Sequence, residues 1–223
     1  MKIKDKYIQG VIFDMDGLIL DNGSLYKRVY REAAKELGHS LQDEVYNTML
    51  GIPHADCHLI LQQTFGKDFP VDKFEEIWSR RYQETLATEG IPFRDGFEAL
   101  FSCLKQQQVP VALATSSSRE KVEAHLQNTR YLQAFDSICT SNDISKGKPD
   151  PEIYTLAANK INCQPHQTIV FEDSNNGMRA AIAANCIGIM ILNQELPENY
   201  VQENGFVVLS SLAEIIPMIE NAC

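Results

Sequence analysis

The stretch Val11-Ile12-Phe13-Asp14-Met15-Asp16-Gly17 runs three apolar residues into two acids and a glycine. The apolar run reads as a buried strand. Side chains alternate along a strand, so Asp14 and Asp16, two apart, share one face. Two carboxylates placed side by side repel unless a proton or a cation intervenes. Such a pair is costly as structure and useful as chemistry, and it marks this strand end as a candidate active site.

Similar runs recur downstream. Residues 109–114, 168–171 and 187–192, and more weakly 206–209, are continuously apolar, as strands covered on both faces are. Helical periodicity alternates with them over 97–107, 119–127, 151–160 and 177–184. Ser117 and Glu120 have the spacing of a capping box, and Asp150-Pro151 reads as a helix start. Alternating strands and helices predict an α/β fold, a doubly wound parallel sheet with right-handed crossovers.

One stretch breaks the rhythm. From residue 24 to 88 only helical patterns occur, over 25–37, 42–50, 57–65 and 71–86, punctuated by Gly38, Gly51-Ile52-Pro53, Gly66 and Pro70. The expectation is a smaller all-helical domain over 23–89, inserted after the first strand, with 1–22 and 90–223 forming the Rossmann-like core. Leaving the chain at the carboxyl end of that strand, the insert could cover whatever binds there.

The chain has 223 residues, 44% of them hydrophobic and 22% charged, which suits a globular protein whose core needs no disulfides. The net charge of −10 argues against a nucleic-acid surface, since phosphate-backbone binding needs clustered Lys and Arg. It leaves room for a small phosphorylated ligand, which needs only one or two local cations. Cys57, Cys103, Cys139, Cys163, Cys186 and Cys223 form no C-x-x-C pair and read as reduced thiols. Residues 1–6 lack the apolar stretch of a signal peptide, and no segment approaches a membrane span. These readings give a cytoplasmic protein with no membrane partner, a monomer or a weak dimer.

Polar residues of unusual type close three of the runs: Asp14-Met15-Asp16, Thr115-Ser116-Ser117-Ser118 and Glu172-Asp173-Ser174. A fourth element, Ser145-Lys146-Gly147-Lys148-Pro149-Asp150-Pro151, precedes a helix. In open α/β sheets ligands bind outside the carboxyl ends of the strands, so neighbouring strands would gather all four in one crevice. Asp14, Asp16, Glu172 and Asp173 offer hard oxygens to Mg²⁺. Thr115 and Ser116 can donate to phosphate oxygens, at the amino end of the helix that follows. Lys148 can place its charge on phosphate or on a nucleophilic carboxylate. Each has an ordinary alternative: a turn cap for Asp14, a polar loop for 115–118, a solvated lysine, a helix cap for Glu172-Asp173. Together they supply what phosphoryl transfer through a carboxyl phosphate requires.

Asp14-x-Asp16-Gly17, Thr115 after an apolar run, Lys148 before Pro149, and Glu172-Asp173 resemble the four motifs of the haloacid dehalogenase superfamily. The longer strings Phe13-Asp14-Met15-Asp16-Gly17-Leu18, Leu113-Ala114-Thr115-Ser116-Ser117, Gly147-Lys148-Pro149-Asp150-Pro151 and Phe171-Glu172-Asp173-Ser174 resemble its branch of β-phosphoglucomutases, phosphoglycolate phosphatases and sugar-phosphate and pseudouridine-phosphate phosphatases. The resemblance spans nearly the whole chain and implies roles. Asp14 would attack phosphorus and become an aspartyl phosphate. Asp16 would protonate the leaving oxygen and then deprotonate the hydrolytic water. Mg²⁺ would be held by Asp14, Asp173, the main-chain carbonyl of Asp16 and, as a further candidate, Glu172. Thr115, Ser116 and Lys148 would hold the phosphoryl group, and the helical cap would close over the substrate and select it.

Departures from the mutase pattern favour a phosphatase of a sugar phosphate, nucleoside phosphate or phosphoglycolate-type metabolite. Tyr26 stands where the mutase carries a cap-hinge histidine, and His54 where it grips a second phosphate with arginine. A phosphosugar mutase is the alternative. A phospho-accepting signalling or binding protein is a third reading, opposed by the helical insert and by Asp16. Dehalogenation is disfavoured, because halide departure needs no acid. Candidate substrate contacts outside the motifs are Ser117, Asn22, Tyr26 and His54, while Trp78 is expected to pack within the insert.

Overall fold

The structure, a computed structural model, describes residues 2–3, 6–49, 54–204 and 207–219. These fall into two compact units, one formed by Met1–Asp21 with Pro92–Cys223 and the other by Asn22–Ile91.

The larger unit begins with an antiparallel pair, β1 (Lys2–Ile3) and β2 (Lys6–Tyr7), and continues into β3 (Gly10–Phe13). The smaller unit follows with α1 (Asn22–Glu36), α2 (Asp43–Thr48), α3 (His54–Phe65) and α4 (Val71–Thr88). The chain then returns through α5 (Phe97–Gln106), β4 (Val111–Ala114), α6 (Arg119–Leu126), α7 (Tyr131–Ala134), β5 (Ser137–Cys139), α8 (Glu152–Lys160), β6 (Thr168–Glu172), α9 (Asn175–Ala183), β7 (Ile187–Ile191), α10 (Asn199–Glu203) and β8 (Val207–Leu209).

The six strands β3–β8 form one parallel sheet in the order β5-β4-β3-β6-β7-β8. From β3 the chain adds β4 and β5 outward on one side, then crosses to add β6, β7 and β8 on the other. Growth reverses beside β3, and such a reversal opens a crevice at the carboxyl ends of the strands.

Burial explains the sequence pattern. Every residue of β3, β4 and β6 is buried, because helices cover both faces. On one face Ile12, Ala112, Ala114 and Val170 pack with Tyr154, Ala157 and Ala158 of α8 and Ala180 and Ala181 of α9. The alanines let these helices lie close to the sheet. On the other face Phe13 stacks on Phe171 at 5.1 Å and meets Phe97 of α5 edge-on at 5.6 Å. Such pairs add about 0.5–1.5 kcal/mol beyond the area they bury.

The smaller unit is wholly helical among its described residues. Tyr30, Ala33 and Ala34 of α1 pack with Tyr46, Cys57, Leu61, Phe74 and Ile77. Glu36 on α1 takes Arg80 at 3.0 Å and Arg81 at 2.6 Å, tying α1 to α4. Trp78 is half-buried against this core.

Several boundaries differ from the sequence reading. The first helix starts at Asn22, three residues early, and α3 starts at His54, three residues ahead of the helix that the pattern predicts over 57–65. Residues 50–53 and Phe206 lie outside the described residues. The short strand β5 and the β1–β2 pair have no counterpart in the sequence reading. The cap of α6 is Ser118, whose Oγ accepts the Lys121 N–H at 3.3 Å. Ser117, expected in that role, has its hydroxyl committed elsewhere. Helix α8 starts at Glu152, and Asp150 Oδ1 accepts the Glu152 N–H at 3.1 Å.

Candidate active site

The parallel ladder carries Asp14 into place. Its N–H donates to Phe171 O at 3.1 Å, extending β3 one residue along β6. Thr115 is set in the same way by Cys139 O at 3.0 Å. Both side chains are buried, Asp14 at 6% exposure and Thr115 at 1%. Beyond Asp14 the chain turns sharply, with the Ile19 and Leu20 N–H groups on Met15 O and the Gly17 N–H on Leu20 O.

Lys148 reaches this point from the loop before α8. The Glu152 carboxylate gathers that loop by accepting from Ser145 N and Oγ and from Lys146 N, at 2.8–3.0 Å. The Lys148 ammonium donates to Asp14 Oδ1 at 2.5 Å, to Glu172 Oε1 at 2.6 Å and to Ala114 O at 3.3 Å. It also lies 4.9 Å from the centre of the Tyr154 ring.

Glu172 ends β6 fully buried. Its Oε1 receives Lys148 and the Tyr154 hydroxyl, the latter at 2.6 Å. Its Oε2 receives the Asp173 and Ser174 N–H groups and the Ser174 hydroxyl at 2.9–3.0 Å. A Cβ at Gly177, in the first turn of α9, would come within 1.7 Å of Oε1. Only glycine there lets the carboxylate settle against the helix.

Asp173 completes the group: one carboxylate oxygen each from Asp14, Glu172 and Asp173 lie within 4.8 Å of one another. Gly17 faces Asp173. Its φ is +87°, and a Cβ at this position would lie 2.2 Å from Asp173 Oδ2, so both backbone and space demand glycine.

Two of the three carboxylates, Asp14 and Glu172, share one ammonium here. Burial pushes the Asp14 carboxyl well above the usual range; Lys148 pulls it back, while Glu172 and Asp173 push it further up. Burial likewise raises Asp173 to about 6, against the pull of the Asn193 amide and with the push of Glu172. Burial also opposes ionisation of Glu172, yet Lys148, Tyr154 and the donors from Ser174 outweigh it and hold Glu172 low. Asp14 and Glu172 thus diverge although both touch Lys148, because Glu172 has the richer set of donors. Burial disfavours the Lys148 charge, but Asp14 and Glu172 hold the lysine above its ordinary value. Two acids strained towards protonation, in a cluster of hard oxygen donors, are the environment that a divalent cation relieves. The residues fit such an ion. Both Glu172 oxygens are already engaged, so Asp14 and Asp173 are the better direct ligands.

The Asp16 carboxylate is directed to α6, away from that cluster. Oδ2 accepts from the Ser117 hydroxyl at 2.5 Å and lies 3.4 Å from Lys121 Nζ. Oδ1 is 3.8 Å from Nδ1 of buried His125, beyond hydrogen-bond length. Burial depresses His125 more than Asp16 raises it, with Lys121 adding to the depression. The Asp16 carboxylate is not one of the three that cluster.

Thr115 Oγ1 accepts the Ser117 N–H at 3.1 Å; a hydroxyl that accepts keeps its own proton for an acceptor. Ser116 is exposed. Asn22 and Tyr26 belong to the helical unit, where Tyr26 stacks on Tyr82 at 5.2 Å and on Trp78 at 6.1 Å. The His54 side chain lies outside the described residues.

Five residues at the site escape sequence reasoning: Arg94, Lys121, His125, Tyr154 and Asn193. Asn193 carries a usable signal, since it follows β7 at the same end of the sheet as the other acids and hydroxyls. Lys121 and His125 are spaced one turn apart on the helix after Thr115. Arg94 carries no local signal.

A parallel sheet that gathers acids and hydroxyls at its strand ends around a loop lysine suits phosphate chemistry, and the proteins similar to this chain place it among enzymes that hydrolyse phosphate esters. More particularly, residues 11–191, from β3 to the end of β7, match the family described as Haloacid dehalogenase-like hydrolase, and the chain belongs to that family. Among similar proteins is the "Phosphorylated carbohydrates phosphatase" of Thermotoga maritima, 28% identical over 216 residues, 96% of this chain and 99% of that one. Another is the "Validoxylamine A 7'-phosphate phosphatase" of Streptomyces hygroscopicus subsp. limoneus, 29% identical over 80% of this chain and 84% of that one. The crystal structure of CbbY from Rhodobacter sphaeroides in complex with phosphate superposes with a TM-score of 0.64 at 25% identity, covering 93% of this chain and 96% of that one. No helix among the described residues is long and apolar enough to cross a membrane.

Proposed function

We propose that this protein is a Mg²⁺-dependent phosphatase of a small phosphorylated metabolite, with a sugar phosphate the favoured class, working through an aspartyl phosphate. The observation that carries this reading is the buried Asp14 carboxylate at the end of the central strand, held by Lys148 at 2.5 Å within a three-carboxylate cluster. The relative named for phosphorylated carbohydrates supports the substrate class.

Asp14 attacks phosphorus, forming a P–O bond to its carboxylate as the bond to the leaving oxygen breaks. Asp16 donates a proton to that oxygen. Thr115, Ser116 and Lys148 bind the phosphoryl oxygens. Asp16 then takes a proton from water, which attacks phosphorus and regenerates Asp14 with release of phosphate. Asp14, Asp173 and the Asp16 carbonyl would hold Mg²⁺, and Glu172 would fix Lys148 and the start of α9 beside it. When bound, the ion would neutralise charge on the phosphoryl oxygens. The helical unit, residues 22–91, is assigned the choice of leaving group. Among the described residues five buried cysteines form no disulfide, which suits a reducing, cytoplasmic setting.

A panel of sugar phosphates, nucleoside phosphates and phosphoglycolate, assayed for phosphate release, tests the reading. Release should need Mg²⁺ and should vanish in Asp14→Asn with the fold retained. Turnover by that variant would remove Asp14 as nucleophile, and full activity in excess chelator would remove the metal.

A further inference from the structure

We propose that Asn193 and Arg94 are positioning residues that fix the Asp173 carboxylate against the turn after Asp14, setting the affinity of the metal site. The proposal rests on the Mg²⁺ reading above.

Asp173 lies one residue past β6, where the regular ladder has ended, so its carboxylate needs other restraints. Asn193 supplies one. From the loop after β7 its Nδ2 donates to Asp173 Oδ2 at 2.9 Å and to Gly17 O at 3.2 Å. Arg94 supplies a second tie to the same turn: Nη1 donates to Gly17 O at 2.9 Å and Nη2 to Leu192 O at 2.9 Å. Gly17 O therefore receives two donors, one from each residue. The bonds link the turn carrying Asp14 and Asp16, the end of β6 carrying Asp173, and the end of β7. Leu192 is itself pinned, its N–H donating to Leu209 O at 2.8 Å.

This arrangement commits Asp173 Oδ2 to the amide. It also fixes the separation between the Asp173 carboxylate and the main chain of residues 14–17, the two sides between which an ion must fit. Gly17 makes the approach possible, since a Cβ there would lie 2.7 Å from Asn193 Nδ2. A Mg²⁺ site tolerates little error in ligand geometry, and partners behind metal ligands typically govern affinity by about 10- to 100-fold. Asn193 is exposed, so its removal opens no cavity in the core.

The test is isothermal titration with Mg²⁺, together with the Mg²⁺-induced shift in unfolding temperature, on wild type, Asn193→Ala, Asn193→Leu and Arg94→Lys. The Asn193 variants should keep the metal-free unfolding temperature while their Mg²⁺ dissociation constant rises about 10- to 100-fold. Substrate KM at saturating Mg²⁺ should stay near that of wild type. Arg94→Lys, which can still reach one carbonyl, should fall between wild type and Asn193→Ala. Wild-type Mg²⁺ affinity in both Asn193 variants would overturn the positioning role and leave the metal reading intact. Failure of the wild type to bind Mg²⁺ would overturn both.

Discussion

Ser117 donates its hydroxyl to Asp16 Oδ2 across 2.5 Å, joining the turn after β3 to the turn after β4. Hydrogen bonds to charged groups are worth about 1.5–3 kcal/mol, and in the proposed mechanism Asp16 presents its carboxylate at a fixed place to move protons. Ser117→Ala should therefore lower kcat about 10- to 100-fold, and Ser117→Thr, which keeps the hydroxyl, should restore most of it. Steady-state phosphate release measures both. An unaltered kcat in the alanine variant would show that the Ser117 hydroxyl does not place Asp16.

Gly177→Ala should be far more disruptive than a glycine-to-alanine change in a helix ordinarily is. The new methyl would fall 1.7 Å from Glu172 Oε1 and 1.9 Å from its Cδ. Either α9 shifts or Glu172 leaves Lys148 and Tyr154. Overpacking costs about 1–3 kcal/mol, and a displaced buried carboxylate adds to it. Urea unfolding should show a loss of at least about 2 kcal/mol, with activity falling in parallel.

Lys148→Met keeps the stem and removes the charge. Asp14 and Glu172 would then face each other without the ammonium that both contact. Breaking a buried pair by removing one partner costs about 3–5 kcal/mol. The loss should shrink as pH falls towards 5, where protonation relieves the repulsion. Adding Glu172→Gln should recover part of the stability at neutral pH without restoring activity. Denaturant midpoints across pH separate these outcomes.

Asp173 predicts a pH slope. Its carboxyl titrates at about 6 in the folded protein, above the ordinary value of about 3.9. Stability from this group is thus full below about pH 4 and is lost as pH rises through about 6. In chelator, Asp173→Asn should match wild type near pH 4 and exceed it by up to about 3 kcal/mol at pH 7. Mg²⁺ should reverse the order at pH 7 by stabilising only the wild type. A gap independent of pH would contradict this account.

The strands β3, β4, β6 and β7 are legible in the sequence because burial on both faces makes them continuously apolar. Strand β5 is not, since Ser137 opens a three-residue run at the sheet's edge and only Cys139 is buried. The start of α3 is hidden because Gly51-Ile52-Pro53-His54 carries turn-forming residues just ahead of the helix. At the site, Asp14, Thr115, Glu172 and Asp173 can be found because each directly follows or closes an apolar run, and Lys148 because it precedes the Pro149-Asp150-Pro151 helix start. Arg94 and Asn193 meet Gly17 from 77 and 176 residues away, and no local pattern encodes such a meeting. Ser117 shows the opposite failure. Its spacing to Glu120 is a real capping signal, but Ser118 takes the cap and frees Ser117 for Asp16.

The central place of β3 in the sheet has a consequence for biosynthesis. The strand that leads into Asp14 leaves the ribosome before either neighbour, and Phe171, its partner on β6, follows about 160 residues later. At about 5–20 residues per second the strand waits roughly 8–30 s for that edge to be covered. During that interval a nascent chain exposes an apolar strand with an open side, and with both sides open until β4 is made. The helical unit, which is translated in the gap and has its own core, can fold while the strand waits.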